Sequence, residues 1–119
     1  MISLLKKKIA SAPTLDYSSF MVIYQTDDAT WRGFVVPFDI TYESESKETV
    51  QTVLNDMIHS YVEALRQYDN PGHLAKVPLS DEQDNKKWSR ISLEVLNQLK
   101  NNIPKIQGSD YYVEAQSPA

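Results

Sequence analysis

The stretch Ser46-Lys47-Glu48-Thr49-Val50-Gln51-Thr52-Val53-Leu54-Asn55-Asp56-Met57-Ile58-His59-Ser60-Tyr61-Val62-Glu63-Ala64-Leu65 carries the clearest local pattern in the chain. Val50, Val53, Leu54, Met57, Ile58, Tyr61, Val62 and Leu65 recur at spacings of three and four. At 3.6 residues per turn that spacing lays them along one face, so the segment is predicted to be an amphipathic helix. Asn55, Asp56, His59, Ser60, Glu63, Arg66 and Gln67 fall on its other sides. Ser46 suits the N-cap, where a side-chain oxygen accepts from a first-turn amide, and Glu48 suits the positive end of the helix dipole. Asn70-Pro71-Gly72 ends the helix. Burying the stripe is worth on the order of 12–24 kcal/mol as an upper bound, the largest apolar term the sequence offers.

Such a stripe needs a surface to cover, and the residues before it supply one. Ser19 to Thr26 is β-branched and aromatic and reads as a strand. Asp27-Asp28-Ala29 has turn chemistry, and Thr30 to Val36 reads as a second strand, giving a hairpin. Pro37 lacks an amide donor and marks a strand end or edge. Asp39-Ile40-Thr41-Tyr42-Glu43 alternates with period two, as a half-buried third strand does, with Ile40 and Tyr42 toward the core.

The flanks are weaker. Ile2, Leu5 and Ile9 predict a short N-terminal helix that ends at Ala12-Pro13-Thr14. Ser80-Asp81-Glu82-Gln83 has the form of a capping box. Trp88, Ile91, Val95, Leu96 and Leu99 then keep helical spacing, so a second helix is expected within 81–102, ending at Pro104. Tyr111-Tyr112-Val113 reads as a short final strand before a tail. The expected fold class is α+β: a three-stranded antiparallel meander packed on one long amphipathic helix, with N- and C-terminal helices added. The expected organisation is an N-terminal helix and linker over 1–16, an α+β core over 17–78, and a C-terminal helix and tail over 79–119 on or near that core.

The chain has 119 residues, enough for one domain. It has no cysteine, which excludes disulfides, thiolate metal sites and a cysteine nucleophile. The missing disulfides favour the cytoplasm. No apolar run approaches the roughly 20 residues of a membrane span, and the lysines follow rather than precede the first apolar residues, unlike a secretion signal. With three glycines, Gly33, Gly72 and Gly108, no phosphate-cradling loop can be built. Asp56, His59 and Glu63 share a helix flank but fit an ordinary solvated face, with no second histidine nearby. No base–nucleophile motif is present. The reading is therefore no enzyme, no metal and no cofactor.

Charge is distributed unevenly. The net charge is −4, with Lys6, Lys7 and Lys8 at one end and a body of nine bases against sixteen acids. Residues 39–69 hold seven acids against Lys47 and Arg66. Such a surface repels phosphate backbones and attracts a basic partner, so DNA binding by this chain alone is not expected. Glu43, Glu45 and Glu48 are the candidate steering charges, and Phe38 and Tyr42 the candidate aromatic anchors of a partner-binding surface. As a set, the aromatics of the expected sheet (Phe20, Tyr24, Trp31, Phe34, Phe38 and Tyr42) read as core and edge packing rather than as a base-stacking platform.

The segment from Phe20 to Pro71 resembles the HicB-like antitoxin domain. The matching pieces are Phe20-Met21-Val22-Ile23-Tyr24, the acidic turn Asp27-Asp28, Gly33-Phe34-Val35-Val36-Pro37, and Ser46-Lys47-Glu48-Thr49-Val50 opening the helix. That resemblance implies an incomplete RNase-H-like sheet without catalytic carboxylates. It implies a role in binding and blocking a small basic ribonuclease toxin of the HicA type. Many members add a C-terminal DNA-binding unit, but residues 79–119 contain one convincing helix where a DNA reader needs two elements placed together. The alternative reading is a HicB-like homo-oligomeric interaction or regulatory module with no toxin partner.

Overall fold

The computed structural model describes residues 18–69, 71–100, 105–108 and 110–116. The expected N-terminal helix and the last three residues lie outside the described residues. Along the chain run β1 (Ser19–Gln25), β2 (Trp31–Val36), β3 (Ile40–Ser44), α1 (Lys47–Gln67), the single turn α2 (Gly72–Ala75), α3 (Glu82–Lys100), β4 (Lys105–Gln107) and β5 (Tyr112–Gln116). The strands form one sheet in the order β3-β2-β1-β5-β4, with every neighbouring pair antiparallel.

The expected meander is therefore only part of the sheet. β1 is not an edge: β5 pairs with it along its free side, Phe20 opposite Ala115 and Ile23 opposite Tyr112. Tyr111-Tyr112-Val113 thus marks the start of a central strand, and β4 closes the far edge. The reason lies in β1 itself. Phe20 to Tyr24 is apolar at successive positions, so both faces need cover, and a central strand with a helix on each side supplies it.

α1 covers one face. Val50, Leu54, Ile58, Val62 and Leu65 are buried against Met21, Ile23, Val35, Phe38 and Ile40. The seam is narrower than the sequence stripe, since Met57 is 38% exposed. Ser46 caps the helix as expected, its Oγ accepting from the Thr49 amide at 3.3 Å. α1 crosses β2 at Gly33, where a Cβ would collide with Leu54 Cδ1 and lie 2.7 Å from Val50 Cγ1. Glycine here is a packing requirement, because it lets the helix approach the strand.

α3 covers the opposite face. Val22, Tyr24, Phe34 and Val113 meet Ile91 and Val95, with Phe20 stacked on Trp88 at 5.9 Å between ring centroids. Leu96, expected in the stripe, is 48% exposed. The inward seam is Asp84, Trp88, Ile91 and Val95, one residue per turn with a carboxylate at its head. The helix is capped by Asp81 rather than Ser80: Asp81 Oδ1 accepts from the Asp84 amide at 2.9 Å. Among the described residues no helix is long and apolar enough to cross a membrane.

Candidate functional site

The carboxylates expected to meet a partner gather where β3 runs into α1. Glu43 is exposed on β3, accepts from Thr30 Oγ1 at 2.7 Å and lies 3.8 Å from Arg32. Glu45 is exposed in the connection, and Glu48 is exposed in the first turn of α1, 3.2 Å from Ser46 Oγ. The β1–β2 turn brings Asp27 and Asp28 to the same end of the sheet. With Glu43 and the α3 cap Asp81 they line a cleft of about 240 Å³ over Arg32. Four carboxylates from three separate loci thus face one concavity, and among the described residues that line it Arg32 is the one base. Chemically, the cleft suits a basic side chain.

The aromatic candidates divide. Tyr42 is half-buried on β3 and packs at the margin of the α1 core. Phe38 is not an anchor. It is 3% exposed, sits in the core beneath α1, and its ring packs on Tyr61 at 5.0 Å. The turn after Pro37 folds it inward, with the Asp39 amide bonded to Val35 O at 2.9 Å. The apolar surface beside the β3 edge comes instead from Met57 and Tyr61, with buried Ile40 beneath them at a shallow depression of about 430 Å³. Sequence spacing placed Met57 in the helix stripe; that it lies at the rim depends on how α1 sits over β3.

Beneath the acidic cleft lies a polar cluster that local pattern did not disclose. The Asp84 carboxylate is fully buried. It accepts from Arg32 Nε at 2.9 Å, Arg32 Nη2 at 2.7 Å and the Tyr24 hydroxyl at 2.9 Å. Burial first, and then the bond to Asp84, push the Tyr24 phenol above its ordinary range. The same carboxylate holds the Arg32 guanidinium protonated more firmly than usual. This buried, fully paired charge joins α3 to the sheet through two residues, Tyr24 and Arg32, that line the cleft. Its only trace in the sequence is the position of Asp84 one turn before Trp88.

Asp56, His59 and Glu63 are exposed along the outer flank of α1. Among the described residues no group of three His, Asp or Glu side chains is arranged to hold a metal. Of the aromatics read as packing, Trp31 lies on the α1 side, and Phe20, Tyr24 and Phe34 lie on the α3 side. No family model, curated protein or solved structure matches the chain.

Proposed function

We propose that the chain is a non-catalytic, HicB-like antitoxin-type protein that binds and neutralises a small basic ribonuclease toxin. The supporting observation is the acidic end of the sheet: Glu43 with Asp27, Asp28 and Asp81 around one cleft, and Glu45 and Glu48 exposed at the β3–α1 connection, beside an open sheet edge with an apolar flank. An edge strand offers unpaired backbone groups to a partner, flanking apolar groups provide the buried centre, and carboxylates steer the encounter. Direct DNA contact is not part of this role. In the basic cluster of α3, Lys86 pairs with Glu82 at 3.3 Å, and Lys87 and Arg90 pair with Asp110 at 3.3 and 2.8 Å.

The test is copurification from the native host, followed by surface-bound kinetics against the recovered partner at two salt concentrations. Glu45→Lys combined with Glu48→Lys should slow association at low salt while the circular dichroism spectrum is kept, because exposed charges add little stability. A recovered partner that is acidic, or an on-rate indifferent to both salt and the double substitution, would refute the proposal.

One observation favours a second reading, a homo-oligomeric module without a toxin. The β3 edge is self-complementary: antiparallel pairing with a second copy about Tyr42 sets Glu43 opposite Thr41 and Ile40 opposite Ser44. Within Ile40–Ser44 no like charges then face each other across the two-fold, and the next pair outward is Asp39 with Glu45. Sedimentation of the purified chain distinguishes the readings. A dimer that Thr41→Pro converts to monomer supports the second, since proline removes an amide donor from the edge.

A further inference from the structure

On the opposite side of the β1–β2 turn, facing α1, lies a cleft of different character. It measures about 320 Å³ and lies between the start of β2, the first turn of α1 and the β4–β5 turn. Trp31, Lys47, Gln107, Asp110, Tyr111 and Tyr112 line it. Lys47 Nζ stands 4.5 Å from the centre of the Tyr112 ring and 5.7 Å from that of Trp31. Among the described residues this ammonium forms no ion pair. Asp110, the acidic wall, is already held by Lys87 and Arg90. In a chain of net charge −4, this cleft therefore presents an ammonium framed by rings and, among the described residues, outside any ion pair.

The lining selects its guest. Aromatic walls attract either flat rings or cations, but Lys47 already supplies the cation, so a second one is repelled. Among the described residues the Lys47 ammonium has no anion within ion-pair distance, and a carboxylate or phosphate oxygen would complete it with a charge-assisted bond. The Gln107 amide nitrogen donates to Gly108 O and Tyr111 O at 3.3 and 3.4 Å, which leaves its oxygen as an acceptor for a ring N–H. Gly108 shapes the wall, since a Cβ there would overlap the Tyr111 ring. The volume is at the small end of ligand pockets, room for one or two fused rings and one acidic group.

We propose that this cleft is a binding site for a small planar aromatic anion, its ring against Trp31 and Tyr112 and its carboxylate or phosphate on Lys47. The site is separate from the acidic corner and does not depend on the antitoxin reading.

The chain has two tryptophans, and Trp88 stacks on Phe20 across the sheet, so the Trp31 indole N–H is a private reporter in nitrogen-15 NMR spectra. The probes are 1-naphthoate and adenosine 5′-monophosphate, which separate carboxylate from phosphate, with adenosine as the neutral and benzyltrimethylammonium as the cationic control. At least one anion should shift the Trp31 signal saturably and leave Trp88 in place. Lys47→Gln should weaken that binding about tenfold, the scale of one lost charge contact, and Lys47→Arg should restore most of it. Tyr112→Leu, checked for folding by its spectrum, should weaken it as well. Any of three results overturns the proposal: no saturable shift from either anion below about 10 mM, undiminished binding by folded Lys47→Gln, or equal binding of the cationic control.

Discussion

Arg32 on β2 and Asp84 on α3, 52 positions apart, meet in a two-point hydrogen-bonded ion pair of 2.9 and 2.7 Å, with the Asp84 carboxylate shut away from solvent. Planar fork meets planar carboxylate, and the Tyr24 hydroxyl takes a further lone pair. A pair of this kind is worth little over an apolar replacement, but breaking one side leaves a buried charge without an answer. Asp84→Ala should therefore destabilise the fold by about 3–5 kcal/mol in urea unfolding. Arg32→Met with Asp84→Leu should recover a substantial part of that loss. If Asp84→Ala left the midpoint unchanged, the cluster would not hold α3 to the sheet.

The α1 seam makes a sharper contrast than its sequence stripe. Leu54 and Ile58 are buried at its centre, and Met57 stands at its rim. Leu54→Ala and Ile58→Ala should each cost about 2–5 kcal/mol through lost transfer energy and the cavity left behind. His59→Ala, on the exposed flank, should change stability by less than about 0.5 kcal/mol. Equal denaturation midpoints for the three variants would contradict the packing of α1.

Gly33→Ala tests the approach of α1 to β2. The added methyl would strike Leu54 and Val50, so overpacking should cost about 1–3 kcal/mol. Shortening the obstructing side chain makes room, so Gly33→Ala in a Leu54→Ala background should cost less than it does alone. Strict additivity in a double-mutant cycle would show that the two sites do not touch.

Asp110 predicts a weak acid dependence with a definite sign. The hydrogen bond from Arg90 and the neighbouring Lys87 outweigh partial desolvation and lower its carboxyl from 3.8 to about 2. A depressed folded value stabilises above the unfolded value and is lost as pH falls from about 4 through about 2. The side chain is 47% exposed, so the contribution at neutral pH is about 0–1 kcal/mol after solvent screening. NMR titration of the Asp110 carboxyl should give a midpoint near 2, and Arg90→Gln should raise it. A midpoint near 4 in the intact chain would show that the pair does not persist in solution.

The sequence by itself determined the parts whose signal is local. The three-and-four spacing from Val50 to Leu65 specified α1 and its inward face, Ser46 its start, and the alternation around Ile40 and Tyr42 the third strand. Exposure of Glu43, Glu45 and Glu48 followed from charge, because leaving water unpaired is costly for a carboxylate. Tertiary structure alone decided what depends on partners far along the chain. Pairing of β5 with β1 joins Ser19 to Gln116, and no short-range period encodes that choice. The sequence leaves Phe38, after a proline, open to packing or to a place in an interface, and the turn decides for packing by carrying the ring under α1. Asp84 reads as one more acid in a polar first turn. It is buried because Arg32 and Tyr24, on strands far before α3 in the sequence, converge on it and hydrogen-bond both of its carboxylate oxygens. The ring-framed Lys47 arises the same way, from β2, α1 and β5 meeting at one end of the sheet. Period and charge are properties of neighbours, and these sites are properties of packing between segments that only the closed sheet brings together.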